Sequence, residues 1–147
     1  MSDITVLSNQ YEKLVATSDK VNNSVIVFKK KRLLNDKSNR DKFPKLAVTD
    51  KEIEEARDTL LPFLDNIKKI LDEDFSQSEY IPTIILQDYK EKLLSSAYLK
   101  DDVNTLIERI KDNLGMADDN IEVLDKILSI LDNERSMLFR KLRKARG

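Results

Sequence analysis

The residues with the most distinct chemical character are the cations that crowd the C-terminal end of the sequence. Residues 135–147 hold six basic side chains and no acidic one. On a helix, Arg143 and Lys144 share a face with Arg140, because they follow it by three and four positions. Such a face could neutralise the phosphates of nucleic acid, with an affinity set by counterion release. The six basic residues are Arg135, Arg140, Lys141, Arg143, Lys144 and Arg146.

Three other interpretations of this C-terminal basic segment stay open. It could lie on an anionic membrane surface or dock on an acidic protein. It could also be a solvated helix end that the helix dipole favours, with Met137, Leu138 and Leu142 packed on the rest of the protein. A shorter basic run has the same alternatives and also matches a nuclear-localisation patch. Its residues are Lys29, Lys30, Lys31 and Arg32.

An apolar seam near the N-terminus is the second candidate surface. Apolar residues recur there at alternating spacings of three and four, with Ser18 as the polar exception, which is the pattern of a coiled coil. The seam pairs either with another chain or with helices of its own chain. The residues that we expect to contact a partner helix are Leu7, Leu14, Val21 and Phe28.

Two acidic pairs are the third candidate. Glu52 with Glu55 and Glu122 with Asp125 each place two carboxylates on one helix face, which could hold Mg²⁺ for phosphoryl chemistry, as in all-helical nucleotide pyrophosphatases. Such pairs also arise by chance in a chain with 36% charged residues. We therefore expect solvated faces here, with no metal and no cofactor.

The residue types that are missing exclude several classes of enzyme. The chain has no Cys and no His. Thiolate nucleophiles, disulfides, cysteine zinc sites and histidine-containing triads are therefore ruled out. No Walker-A, Rossmann or EF-hand pattern occurs. We expect no enzymatic activity.

The elements that position these residues are predicted to be helices. With two glycines and three prolines in 147 residues, sheets with tight turns are disfavoured. The periodicity predicts one all-α domain, an elongated bundle of about five helices in which the first, over 3–34, and the last, over 120–145, are long. Residues 35–48 are predicted to be a flexible loop.

Local signals set the other helix boundaries. Thr49 with Glu52 forms a capping box that starts the second helix, and Pro62 is expected to kink or break it. A third helix should run from Pro82 to about Leu99. Gly115 should end the fourth helix, which Asp101 or Asp102 begins, and Asp118 or Asp119 should cap the fifth.

Charge is distributed unevenly along the chain. The net charge is −1, but residues 101–134 carry −7 and residues 135–147 carry +6. If the first and last helices are antiparallel, the two basic runs lie at opposite ends of the bundle, and if parallel they merge. No apolar stretch approaches the ~20 residues that span a bilayer, and the N-terminus has no signal-peptide pattern, so we expect a cytoplasmic protein without membrane contact.

These features lead to three hypotheses for function. The first is a non-enzymatic helical interaction or scaffold subunit of a larger assembly, with a protein partner or self-association. The second is a small helical subunit of ribonucleoprotein type that binds nucleic acid without sequence preference through its basic C-terminal helix. The third is the magnesium-dependent pyrophosphatase.

Overall fold

A computed structural model describes residues 2–72, 80–96, 99–112 and 117–147, without the side chains of residues 2 and 3. Helices make up 86% of this part of the chain, and no strand occurs in it. The prediction of an all-α bundle with long first and last helices is therefore confirmed. The helices are α1 (Ser2–Leu34), α2 (Lys37–Lys42), α3 (Asp50–Leu71), α4 (Thr83–Leu94), α5 (Leu99–Lys111) and α6 (Asp118–Arg146).

The short helix α2 corrects the prediction that residues 35–48 form a loop throughout. Asp36 starts α2, because its carboxylate accepts a hydrogen bond of 2.9 Å from the backbone N–H of Ser38. Asn39 ties α2 back to α1 by donating from its side chain to the Leu33 carbonyl at 3.0 Å. No residue of α2 is buried, so it adds nothing to the core.

The apolar seam of α1 faces the interior of this chain. Leu14, Val21 and Phe28 are buried in the common core, and Leu7 is partly buried against it. The partners of the seam are α3 and α6, which pack along α1 more extensively than any other helix. Leu14, Val21 and Phe28 are thus buried against helices of their own chain, as in the intrachain alternative, and contact of the seam with another chain stays a prediction.

Helix α3 begins as predicted and continues without a break through Pro62. The Thr49 hydroxyl accepts the Glu52 N–H at 3.1 Å, which confirms the cap. The helix does not break at Pro62, whose ring faces solvent, and the predicted apolar face continues past it through the buried Leu64 and Ile67. Burial of one face on both sides of the proline keeps the helix intact despite the lost backbone donor.

The remaining boundaries differ from prediction by a few residues. Pro82 precedes α4 as predicted, but α4 ends at Leu94 and not near Leu99, which instead begins α5. Asp101 and Asp102 therefore lie in the first turn of α5. The predicted helix end at Gly115 lies outside the described residues.

The residue that caps helix α6 lies just before the two aspartates, Asp118 and Asp119, that were predicted to cap it. Ala117 is the residue that precedes it, so Asp118 and Asp119 both lie in the first turn, where the helix dipole favours carboxylates. The Asn120 side chain accepts the Ala117 N–H at 2.9 Å, and the Asp119 carboxylate accepts the Asn120 N–H at 3.1 Å, so an aspartate still satisfies one backbone donor of the first turn.

Helices α1 and α6 are antiparallel. Lys29, near the end of α1, forms an ion pair of 2.9 Å with Asp125, near the start of α6. Asp19, at the middle of α1, lies 3.7 Å from Arg135, further along α6. The two basic runs therefore lie at opposite ends of the bundle. Helices α4 and α5 also pack on α3 and α6. Helices α3 and α6 therefore lie between α1 and the α4–α5 pair.

Candidate functional site

The C-terminal part of α6 is anchored by its apolar residues and presents its cations to solvent. Leu138 and Leu142 are buried, one turn apart, on the side that faces the bundle. The cations between and after them occupy the other sides of the helix and are exposed. We call this surface the basic end; its residues are Arg140, Lys141, Arg143, Lys144 and Arg146.

Few acids compensate the basic end. Within the described residues, no ion pair reaches Arg140, Arg143, Lys144 or Arg146. Lys141 contributes, after larger effects from Glu134 and Lys92, to the lowered pKa of Asp88 on α4. The positive charge of this surface is thus available to an anion that approaches from solvent.

Two aromatic rings meet beside the basic end. The ring of Tyr11 on α1 lies 5.6 Å from that of Phe139 on α6, with 43° between their planes. The guanidinium carbon of Arg143 lies 6.0 Å from the centre of the Phe139 ring. A surface depression of about 330 Å³ lies beside the two rings. Its lining residues are Tyr11, Arg135, Ser136, Phe139, Arg140 and Arg143.

Sequence reasoning placed Phe139 alone among the cations and missed Tyr11. Tyr11 occupies a seam position of α1, and the antiparallel packing of α1 on α6 brings it to the opposite terminus of the chain. The seam did carry a signal, because an aromatic with a polar tip is suited to the margin of a core where one edge stays wet.

The second basic run is partly neutralised. Besides the Lys29–Asp125 pair, Arg32 forms an ion pair of 2.7 Å with Asp118. A depression of about 580 Å³ beside these residues is lined by both signs of charge, including Asp36 of the α1–α2 connection. Of the predicted contact residues here, Lys30 is exposed and Lys31 is partly buried. Acidic residues at the start of α6 therefore offset this run, whereas among the described residues no ion pair reaches Arg140, Arg143, Lys144 or Arg146.

The two acidic pairs stay on separate helices. Glu52 and Glu55 lie on α3 and line a shallow depression with Lys20 of α1. Asp125 of the other pair is taken up by Lys29. Across the described part of the chain, no three acidic side chains come close enough to share a metal ion.

A polar cluster around the buried Glu134 joins α4 to α6 just before the basic end. Lys92 Nζ lies 3.0 Å from Asp88 Oδ2 and 2.9 Å from Glu134 Oε1, and Glu134 is 1% exposed. Burial and then the hydrogen bond with Asp88 raise the pKa of Glu134 to about 7. The same hydrogen bond, followed by that with Lys92, lowers the pKa of Asp88. Burial and the neighbouring Asp88 thus favour the protonated form of Glu134, whereas the Lys92 ammonium favours the ionised form.

Sequence reasoning also missed this cluster. Glu134 was counted as the last acid of the negative stretch, yet it lies three residues after Leu131 and four before Leu138. Both leucines are buried, so Glu134 sits in the core stripe of α6. A polar residue at a core position of an otherwise apolar stripe was the available signal.

The fold and these surfaces together define a small all-α bundle with an anchored, exposed cationic helix end. Comparison with protein-family models, with curated proteins and with solved structures found no match to this chain. None of the helices that the structure describes combines the length and the apolar composition of a transmembrane span.

Proposed function

We propose that this chain is a non-enzymatic helical binding subunit whose ligand is nucleic acid, contacted through the basic end of α6. The observation that carries the proposal is the group of exposed cations on an anchored helix end. Within the described residues, Arg140, Arg143, Lys144 and Arg146 have no acidic partner. Contacts of this kind hold phosphates without reading base sequence.

Packing of the basic end favours nucleic acid over a membrane surface. A helix that lies in a membrane interface must insert an apolar face among the lipids. Leu138 and Leu142 of this segment are buried against the bundle, which leaves Met137 and Phe139 as its exposed large apolar residues, too few for a continuous inserted face. Nucleic acid needs no such insertion and agrees with the cytoplasmic location that the sequence predicts.

The aromatic residues favour nucleic acid over an acidic protein. Phe139 is 42% exposed among the arginines of the basic end, with Arg143 above its ring. Exposed rings beside cationic side chains suit ligands that carry both phosphates and flat bases. Because the α1 seam is buried within its own chain, the scaffold hypothesis has the basic end as its remaining contact surface. A protein ligand at the basic end is therefore the alternative outcome of the test.

Binding should be weak, tolerant of sequence and steeply dependent on salt. Each phosphate neutralised contributes a slope of about −0.9 on duplex DNA, or about −0.7 on a single strand, to a plot of log affinity against log salt. Three to five cations in contact would therefore give a slope of roughly −2 to −4.

The test compares labelled DNA and RNA oligonucleotides by fluorescence anisotropy at two salt concentrations. Substitution is preferable to truncation after Glu134, because truncation would remove the buried Leu138 and Leu142 from the core. The basic-end variant combines four changes, Arg140→Gln, Arg143→Gln, Lys144→Gln and Arg146→Gln.

A matched control removes the same charge from exposed lysines on α3, α5 and α6, away from the basic end. It combines Lys51→Gln, Lys68→Gln, Lys111→Gln and Lys126→Gln. We expect the basic-end variant to lose binding together with the salt slope, while the control keeps both. Equal losses in the two variants, or no binding by the unaltered chain at low salt, would overturn the proposal and leave a protein ligand as the better explanation.

A further inference from the structure

We propose that the depression lined by Tyr11, Phe139 and Arg143 holds one unpaired nucleic-acid base, so that this chain prefers single strands to duplex. The inference rests on the proposed function, because it assigns a second contact to the same ligand. The depression would contact a base of this ligand, whereas the cations of the basic end would contact its phosphates.

Phe139 supplies the stacking surface. Its ring is 42% exposed even though its helix neighbour Leu138 is fully buried. Tyr11 is only partly buried and its ring lies 5.6 Å from that of Phe139, so both rings line the depression. Aromatic side chains in such positions bind any of the bases, since every base has a π-face.

Arg143 lies over the ring of Phe139 and supplies the second plane against which a base could stack. A base stacked between two planes needs about 3.5 Å on each side, hence about 7 Å in all. The guanidinium carbon now lies 6.0 Å from the centre of the Phe139 ring. An outward shift of Arg143 by about 1 Å would open the slot, and an exposed arginine near a helix end can make that shift by changing its side-chain torsions.

The rim of the depression suits the backbone of a strand. Arg140 is exposed at the rim, and Arg135 is held only by a long contact of 3.7 Å with Asp19. A volume of about 330 Å³ is at the lower limit of the ~300–1,000 Å³ typical of ligand sites, so it suits one flat group. In a duplex, the faces of each base are covered by its neighbours in the stack, which leaves this contact to unpaired bases.

The experiment compares one oligonucleotide as a single strand and as a duplex, at low salt, with the full-length chain. The test variant is Phe139→Leu, which keeps an apolar side chain but removes the ring. Phe43→Leu is the matched control, because Phe43 is also exposed but lies in the connection between α2 and α3. Circular dichroism of each variant establishes that the helices are retained.

We expect Phe139→Leu to weaken single-strand binding about five- to a hundredfold, the effect of losing one stacked base. Duplex binding should stay within about twofold, and Phe43→Leu should change neither. Arg143→Lys keeps the charge but lacks the planar group, and it should weaken single-strand binding in the same direction. A strand with 2-aminopurine should lose fluorescence on binding to the unaltered chain and not on binding to Phe139→Leu.

Two results would overturn the inference. If the unaltered chain binds single strands and duplex equally, or if Phe139→Leu weakens both equally, the depression holds no base, although the proposed function stands. If the unaltered chain binds neither form, the proposed function fails first and the inference fails with it.

Discussion

The ammonium nitrogen of Lys92 on α4 lies 2.9 Å from the carboxyl group of Glu134 on α6, inside the interface between the two helices. Asp88, one turn before Lys92, shares this ammonium at 3.0 Å. One cation therefore faces two carboxyl groups, and a proton on Glu134 relieves their repulsion. The groups that surround the cluster are Lys141 and Asp132 of α6 and the buried Tyr89 hydroxyl, which donates to the Ile127 carbonyl at 3.1 Å.

This arrangement makes stability depend on pH near neutrality. The pKa of Glu134 is about 7 in the folded chain against 4.5 as its ordinary value. Between those values the folded state holds a proton that the unfolded state has lost, so the free energy of unfolding should fall as pH rises through this window. The lowered pKa of Asp88 acts in the opposite sense only below its usual 3.8, and the raised pKa of Lys92 acts only above 10.5.

Glu134→Gln should remove most of that slope. The amide stays neutral at every pH, so above pH 7 the variant should be more stable than the unaltered chain by about 1–3 kcal/mol. Urea denaturation below, within and above the window measures the effect. Glu108→Gln, an exposed change on α5, should keep the slope. A flat profile for the unaltered chain would show that Glu134 stays ionised.

Leu128→Ala should cost about 2–5 kcal/mol of unfolding free energy, as expected for truncation in a packed core. Leu128 is 5% exposed and lies on the apolar face of α6 that packs in the common core. Leu94→Ala serves as the control, because Leu94 is 46% exposed, and it should change stability by less than about 1 kcal/mol. Thermal melts of the two variants that coincide would contradict this placement of the core.

A charge at the α1 seam should unfold the chain, not dissociate an assembly. Leu14 is fully buried against the helices of its own chain, so Leu14→Asp would bury an unpaired carboxylate. Ile26→Asp is the matched change on the same helix, because Ile26 is 46% exposed, and this variant should stay folded. Circular dichroism with sedimentation over a concentration series separates the two effects. A folded Leu14→Asp variant of smaller mass than the unaltered chain would restore the seam as an interface.

Pro62→Ala should leave stability unchanged or raise it by up to about 2 kcal/mol. Pro62 lies inside the unbroken α3 and faces solvent, so alanine would restore a backbone donor without disturbing the core. The gain is reduced because proline also restricts the unfolded chain. Urea denaturation measures it, and a clear loss of stability would mean that the proline ring contributes packing.

Local features of the chain were predictable because they depend on residues a few positions apart. The period of apolar residues indicated α1, α3 and α6, and the Thr49–Glu52 pair marked the start of α3 to the residue. The exposed cations of the basic end also followed from spacing, since Leu138 and Leu142 set which side of α6 faces inward. Boundaries without a strong cap, such as the start of α5, shifted by a few residues.

The amino-acid sequence by itself determined that the chain is helical, where its long helices lie and which side of each is apolar. Only the tertiary structure decided what each apolar side meets. It closed the α1 seam with α3 and α6, offset Lys29 with Asp125, buried Glu134 beside Lys92, and brought Tyr11 to Phe139. Helix formation follows from hydrogen bonds and side chains within about four positions, whereas these contacts join distant parts of the chain and depend on the direction in which α6 packs against α1.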